Sequence, residues 1–175
     1  MREIYIFDID GCVMPSIFKN FNIDEPRKRI IREAIKNGNQ VKLYPEFIEF
    51  YKKHYLLAES IYFLTGRKYK EFGKLTENQL QFLRNFRDFQ VIYYPERKSY
   101  RSKIYFAWKV KEIKKIIKNS ISSESAPENY IRNFKFNIFD DMSNHFPKIR
   151  KIEEKWCIKI HLIIIKSENI WNRLL

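Results

Sequence analysis

Short apolar segments, rich in β-branched and aromatic residues, alternate with longer amphipathic segments along the chain. The first, EIYIF, runs from Glu3 to Phe7, and strand patterns recur at residues 60–64, 89–94, 134–139 and about 157–165. Helical patterns lie between them at residues 27–36, 45–55, 77–86 and about 105–118, the third with Thr76 as its predicted N-cap. Strands that alternate with helices form βαβ units. The sequence therefore predicts an α/β fold with a central, mainly parallel sheet.

The composition is that of one soluble globular domain. The chain has 175 residues, of which 45% are hydrophobic and 31% charged, a balance that argues against disorder. No apolar run approaches the ~18 residues of a membrane-spanning helix, and the start, MREIYIFDID, lacks the pattern of a signal peptide. With two cysteines, Cys12 and Cys157, a disulfide framework is excluded, and we expect a reducing, cytoplasmic setting.

Net charge is the strongest compositional indication of a partner. Lys and Arg total 34 against 21 acidic residues, so the net charge is +13. Such an excess concentrates polyanions near the surface and favours phosphate-rich partners, nucleic acid above all. The alternative is a solvated, lysine-rich surface without a partner. Composition leaves both interpretations open.

Two carboxylates follow the first predicted strand, in the segment FDIDGC. Asp8 and Asp10 are two residues apart, so their side chains point the same way, and Gly11 allows a sharp turn after them. One carboxylate could attack phosphorus and the other could transfer a proton, and together with a backbone carbonyl they could hold Mg²⁺. An aspartate that caps a turn is the alternative for such a pair.

Two further polar segments follow predicted strands. In FLTGR, the hydroxyl of Thr65 with Gly66 and Arg67 could bind phosphate oxygens, although the same residues also suit an ordinary strand-to-helix turn. In IFDDM, the adjacent carboxylates of Asp140 and Asp141 repel each other unless a cation or hydrogen-bond donors offset their charge. Magnesium fits that need, and two solvated loop acids are the alternative. Ligands of open α/β sheets bind outside the carboxyl ends of the strands, where all three motifs fall.

These motifs resemble those of a known enzyme superfamily. FDIDG, LTGR and FDD, with a lysine before the last, are similar to the four signature motifs of the haloacid dehalogenase (HAD) superfamily of phosphotransferases, over roughly Ile4 to His145. The resemblance implies a three-layer, Rossmann-like fold that spans residues 1–175 as a single domain with a minimal cap. The expected cap is a small helical insertion at about residues 24–44.

The resemblance also implies a role for each motif. Asp8 would be the nucleophile that becomes an aspartyl phosphate, and Asp10 the general acid and base. Thr65, Gly66 and Arg67 would bind the transferring phosphoryl group. The implied ligands of Mg²⁺ are Asp8, Asp10, Asp140 and Asp141.

The lysine of the third motif has two candidates, Lys103 in RSK and Lys109 in FAWK. Lys109 is favoured, because an aromatic-Lys pair about thirty residues before the acids loosely resembles the HAD domain of "Swiss Army knife" RNA-repair proteins. In that branch a histidine follows the acids, as His145 does here. Lys103, Arg101 and His145 are predicted substrate contacts, with a structural role as the alternative for His145.

The sequence thus predicts a Mg²⁺-dependent phosphatase. The basic run from Arg97 to Lys103, interleaved with tyrosines, suits phosphorylated DNA or RNA ends. Two alternatives stay open: a phosphatase of nucleotides or other small metabolites, and a non-catalytic nucleic-acid-binding domain on the same scaffold.

Overall fold

The strands form one parallel sheet. The structure is a computed structural model that describes residues 2–18, 26–98, 102–122, 134–156, 158–166 and 169–174. The strands are β1 (Arg2–Asp8), β2 (Ala58–Thr65), β3 (Gln90–Tyr93), β4 (Phe134–Asp140) and β5 (Lys159–Ile164). They lie in the order β3-β2-β1-β4-β5, and every neighbouring pair is parallel. The predicted α/β fold with a parallel sheet is confirmed.

Helices cover both faces of this sheet. In the described residues they are α1 (Arg27–Gly38), α2 (Pro45–His54), α3 (Tyr69–Arg84), α4 (Ser102–Ser122), α5 (Phe146–Trp156) and α6 (Asn169–Leu174). The central strand, β1, shows why two layers are needed. Ile4 and Ile6 pack with α4 and α5, whereas Tyr5 and Phe7 pack with α2 and α6 on the other face. A strand buried on both faces has an uninterrupted apolar sequence, as EIYIF does.

Helix α1 packs on α3. Ala34 of α1 and Phe72 and Leu75 of α3 form a small apolar cluster with Ile17, separate from the two clusters against the sheet. This helix falls within the predicted cap insertion at about 24–44, which begins outside the described residues. The division into a core and a cap stays a prediction.

Several helix boundaries differ from the sequence-based expectation. The predicted start near Glu77 is wrong, because α3 begins at Tyr69 and Thr76 is buried in its interior. The residues before Thr76 are helical because Phe72 and Leu75 pack against α1, a partner that the local pattern does not reveal. Helices α5 and α6 were not predicted, although Phe146, Ile149 and Ile152 of α5 are buried at the three-residue spacing of a helix.

None of the described helices is both long enough and apolar enough to cross a membrane.

Candidate active site

The carboxyl ends of three adjacent strands bring the predicted site residues to one edge of the sheet. Asp8, Thr65 and Asp140 are the last residues of β1, β2 and β4. Strand β1 pairs with β2 on one side and with β4 on the other. The chain builds outward from β1 to β3 and then returns to place β4 on the opposite side of β1. Ligands of open α/β sheets bind at such a switch point.

The loop after β1 turns sharply beneath the acidic residues of β4. Gly11 has a φ of +81°, which favours glycine. Its backbone N–H donates to the carbonyl of Met14 at 2.8 Å, which closes the turn. A Cβ atom at Gly11 would lie 2.6 Å from Oδ2 of Asp141. The close approach of this loop to Asp141 therefore depends on the missing side chain.

Lys109 reaches the strand edge from α4 and links two of the carboxylates. Its Nζ lies 2.9 Å from Oδ1 of Asp8 and 2.5 Å from Oδ2 of Asp140. Its side chain is 1% exposed. Burial alone would lower the pKa of Lys109, but the charges of Asp8 and Asp140 outweigh it and raise that pKa well above its usual value. Of the two lysines left open by the sequence, Lys109 is thus the one in contact with the acidic residues, whereas Lys103 is exposed near the start of α4.

Asp140 is held by cationic and polar groups on several sides. His145 places its Nε2 3.2 Å from Oδ2 of Asp140, and the backbone N–H of Met142 donates to Oδ1 at 3.0 Å. Burial alone would raise the pKa of Asp140, but Lys109 and His145 together lower it. His145 is fully buried and its ring stacks on Phe106. The structure therefore places His145 behind the acidic cluster as a partner of Asp140.

The acidic cluster has more negative charge than Lys109 can neutralise. Burial raises the pKa of Asp8 well above its usual value, and the charges of Asp140 and Asp141 add to the effect of burial although Lys109 opposes it. Burial, followed by the charge of Asp140, raises the pKa of Asp141 to about 6. Three carboxylates and one ammonium group leave an excess of negative charge in a mostly buried place.

These carboxylates fit a divalent cation. Asp8, Asp140 and Asp141 each offer a carboxylate oxygen, and these oxygens all lie within 4.8 Å of one another. Mg²⁺ binds through a few carboxylate oxygens together with water and substrate phosphate. A cation here would also offset the repulsion that raises the pKa values of Asp8 and Asp141. Asp10, which the resemblance placed among the metal ligands, is not part of this group in the described residues.

The carboxylate of Asp10 is held by Arg67. Nε and Nη2 of Arg67 each donate to one oxygen of Asp10, both at 2.8 Å. The remaining donors of the guanidinium bind Thr76 at 3.1 Å, Gln79 at 2.5 Å and the sulfur of Met14 at 3.6 Å. Because a guanidinium has five N–H groups, this set occupies all of them. Phosphate binding by Arg67 stays a prediction, and in the structure its side chain binds Asp10.

Thr65 and Gly66 lie where the phosphoryl-binding motif was predicted. Thr65 is fully buried at the end of β2, and its Oγ1 accepts a hydrogen bond from the backbone N–H of Arg67 at 3.2 Å. Gly66 lines the pocket above Asp8. A side chain at Gly66 would approach the ring of Tyr105 to 3.2 Å. Arg101, the other predicted substrate contact, lies outside the described residues.

Sequence reasoning missed three residues of this site: Thr76, Gln79 and Tyr105. Thr76 and Gln79 are three residues apart on α3 and therefore share a face. Gln79 accepts from Arg67 and donates through Nε2 to the carbonyl of Gly38 at 2.8 Å. Tyr105 lies one helical turn before Lys109, whose Nζ is 5.2 Å from the centre of its ring. The signals in the sequence that could have found them are the i,i+3 spacing of Thr76 and Gln79 and the i,i+4 spacing of Tyr105 and Lys109.

The four motifs thus converge at one edge of a parallel sheet, with Asp8 on the central strand, Thr65 and Asp140 on its two neighbours, and Lys109 on a helix. This is the arrangement that the resemblance to the HAD superfamily implies.

Comparison with solved structures finds chains that are similar to this one along most of its length. One is the HAD domain of the effector protein Lem4 from Legionella pneumophila, with 16% identity and a TM-score of 0.48 over 99% of this chain and 91% of that one. Another is a hydrolase from Pseudomonas syringae, with 12% identity and a TM-score of 0.45 over 99% of this chain and 100% of that one. Neither a protein-family model nor a curated protein sequence matches the chain.

A pocket opens directly onto the carboxylates. Its volume is about 460 Å³, which is within the usual range for small-molecule sites. Asp8, Asp10 and Asp141 are part of its lining, together with residues of α1, α3 and α4 and of the loops that follow β1, β2 and β4. On its rim Arg27 of α1 forms an ion pair with Glu71 of α3. Helix α1 therefore forms a wall of the pocket and leaves the carboxylates accessible to a ligand.

Proposed function

We propose that the protein is a Mg²⁺-dependent phosphatase that hydrolyses phosphate monoesters through a phosphorylated Asp8. The observation that carries this proposal is the contact of Lys109 with both Asp8 and Asp140, next to a third carboxylate, at the mouth of a pocket. Pairing to Lys109 favours the charged, nucleophilic form of Asp8 and offsets the charge of an incoming phosphate.

The first half of the reaction transfers the phosphoryl group to the protein. An oxygen of Asp8 attacks phosphorus in line, the bond from phosphorus to the ester oxygen breaks, and Asp10 gives a proton to the leaving alcohol. In the second half, Asp10 takes a proton from water, which attacks phosphorus and releases inorganic phosphate and free Asp8. Arg67 fixes the carboxylate of Asp10 for both proton transfers.

Mg²⁺ would be held by Asp8, Asp140 and Asp141 and would supply charge neutralisation for the phosphoryl oxygens. Lys109 contributes charge neutralisation from the other side. Thr65 lies at the end of the neighbouring strand, so its hydroxyl and the backbone N–H groups after it suit a phosphoryl oxygen.

The first test is the substitution Asp8→Asn. Mg²⁺-dependent phosphate release should fall by at least about a thousandfold, because the nucleophile is lost while the side-chain shape is kept. Asp88→Asn is the matched control, since that carboxylate is 98% exposed in the loop before β3. Release that survives in the Asp8 variant would contradict the proposal.

The proposed intermediate has its own test. Asp10→Asn should slow the second half of the reaction, which needs a base to activate water. With a substrate whose leaving group needs no proton, such as 4-nitrophenyl phosphate, acid-quenched Asp10→Asn protein should contain an acyl phosphate that hydroxylamine cleaves. Quenched protein that contains no acyl phosphate under these conditions would contradict the covalent route.

We propose phosphorylated ends of DNA or RNA as the substrate. The net charge of +13 supports this substrate, and so does the position of the basic residues: Lys103 is exposed two residues before the pocket residue Tyr105. A run of exposed lysines continues along α4 and α5, at Lys111, Lys114, Lys118, Lys148, Lys151 and Lys155. Polyanion binding by such a surface weakens steeply with added salt.

A nucleotide or other small phosphate ester is the second candidate substrate. The observation in its favour is the pocket of about 460 Å³, which is of small-molecule size. A 3′-phosphorylated oligonucleotide run beside a mononucleotide separates the two candidates. Salt-sensitive release from the oligonucleotide favours the first, and salt-insensitive release from the mononucleotide alone favours the second. Oligonucleotide binding without release from either would favour a non-catalytic binding domain.

A further inference from the structure

The geometry of the pocket beside Asp8 points to a substrate whose leaving group carries an aromatic ring, so that the site selects phosphate esters of ring-bearing alcohols, nucleosides included, over phosphates of sugars that carry no aromatic ring. This inference rests on the proposed phosphatase function and names the substrate class of the same site.

Apart from the carboxylates, most of the side chains that form the walls of the pocket are apolar or aromatic. Six apolar residues from five parts of the chain contribute to these walls: Phe18, Ile30, Ile31, Phe72, Phe106 and Met142. Two of them are fixed by ring contacts, because Phe18 meets Phe72 edge to face with centroids 5.4 Å apart. An apolar group that enters the pocket therefore meets preformed walls, which favours binding.

Two of the walls belong to the elements that hold the catalytic groups. Phe106 lies on α4 three residues before Lys109, and Met142 lies two residues after Asp140. The ring of Phe106 stacks on His145, with centroids 5.9 Å apart, and His145 in turn contacts Asp140. A ring seated against Phe106 and Met142 would therefore be held in a fixed position relative to Asp8.

Polar partners for a sugar are scarce in this pocket. Away from the carboxylates, the polar side chains that line its described part are Ser16, Tyr105, Arg27 and Glu71. Arg27 and Glu71 are engaged with each other. A sugar would bury several hydroxyl groups against apolar walls, and each buried hydroxyl without a partner costs binding free energy. A flat ring avoids this penalty and gains from apolar burial.

Binding of a matched pair of unreactive phosphonates tests the inference without turnover. Phenylphosphonate and methylphosphonate would be titrated calorimetrically into the wild-type protein with Mg²⁺. We expect phenylphosphonate to bind at least about tenfold more tightly, because even one methylene in an apolar pocket is worth that factor. Equal affinities would overturn the inference.

The substitution Met142→Gln tests whether this pocket is the one that binds the aromatic ring. Met142 is 40% exposed, so a side chain of similar length with a polar end should leave the fold intact. We expect weaker binding of phenylphosphonate and unchanged binding of methylphosphonate. Leu57→Gln is the control, because Leu57 is 64% exposed in the turn between α2 and β2. Identical behaviour of the two variants would overturn the assignment of the pocket.

Turnover of three phosphate esters then distinguishes the proposed phosphatase activity from the proposed ring preference. It also distinguishes a simple aryl group from a nucleobase as the ring. Higher kcat/KM for phenyl phosphate or adenosine 5′-monophosphate than for glucose 6-phosphate supports the inference. If phenyl phosphate is the better of these two substrates, the ring is a simple aryl group, and if adenosine 5′-monophosphate is better, the ring is a nucleobase. Equal kcat/KM for all three overturns the inference but leaves the phosphatase. A lasting phenylphosphonate preference without release from any ester overturns the phosphatase but leaves the ring-binding pocket.

Discussion

Gly11 lies in the loop after β1, close to the carboxylate of Asp141. Gly11→Ala would place a methyl group 2.6 Å from Oδ2 of Asp141 and force a side chain into the left-handed φ of +81°. The backbone strain alone should lower the free energy of unfolding by about 1–2 kcal/mol. The displaced Asp141 should also weaken Mg²⁺ binding, measured as a smaller rise in Tm on adding Mg²⁺.

Gly73→Ala is the control for this substitution. Gly73 lies inside α3, where alanine favours the helix by up to about 1 kcal/mol, and the added methyl group meets only the ring of Tyr69, which is 62% exposed. We expect little loss of stability and the wild-type response to Mg²⁺. A Gly11→Ala protein with that same response would show that Asp141 does not contribute to metal binding.

Arg67 is the buried charge on which the position of Asp10 depends. Arg67→Lys keeps the charge but cannot reproduce the paired hydrogen bonds to Asp10 or the bonds to Thr76 and Gln79. We expect a loss of about 2–4 kcal/mol in the free energy of unfolding. Phosphate release should fall in kcat rather than in KM, and more for alkyl than for 4-nitrophenyl esters, because proton donation by Asp10 matters most for poor leaving groups.

The matched control is Arg84→Lys. The guanidinium of Arg84 lies at the surface, where it pairs with Glu77, so the substitution should change stability by no more than about 0.5 kcal/mol. Equal losses of kcat for alkyl and 4-nitrophenyl esters in the Arg67 variant would refute a positioning role and leave a purely structural one.

At the scale of the elements, α6 supports the loop that follows Asp8. Trp171 is fully buried among Phe7, Phe47 and Phe139. Its Nε1 donates to the carbonyl of Cys12 at 3.0 Å. Trp171→Phe removes this bond and should cost about 1–2 kcal/mol, whereas Trp171→Ala also leaves a cavity and should cost about 3–5 kcal/mol. Chemical denaturation of both variants measures the difference, and equal losses would mean that the hydrogen bond rather than the packing dominates.

The sequence predicted the elements whose signals are local. Asp8, Thr65 and Asp140 each end an apolar strand segment, so the motif and its place at the sheet edge could be inferred together. The start of α3 could not be inferred, because Phe72 and Leu75 are stabilised by contacts with α1, which is far away in the sequence. The pairing of Arg67 with Asp10 was missed for the same reason, because the two residues are 57 positions apart in the sequence. A motif predicts which residues meet at the site, and tertiary packing decides which of them pair.

At the scale of the whole molecule, many of the exposed lysines lie on one of the two helical layers. Helices α4 and α5 cover one face of the sheet, and Lys109 extends from α4 to the edge of the sheet where Asp8 lies. The exposed lysines of α4 and α5 lie on that same layer. A polyanion bound along these helices would therefore have a path from the basic surface to the pocket, which links the net charge of +13 to the proposed site.

Two double variants of equal net charge test this link. Lys148→Gln with Lys151→Gln alters α5, and Lys36→Gln with Lys74→Gln alters exposed lysines of α1 and α3, which lie outside the layer of α4 and α5. Each removes two charges, so a non-directional attraction would weaken oligonucleotide binding equally in both. We expect the α5 variant alone to bind less tightly and to lose about 0.7 from the slope of log affinity against log salt for each phosphate contact removed. Fluorescence anisotropy with a labelled single strand at several salt concentrations measures this slope. Equal slopes in the two variants would mean that the charge acts through the molecule as a whole, and the proposed path along α5 would be wrong.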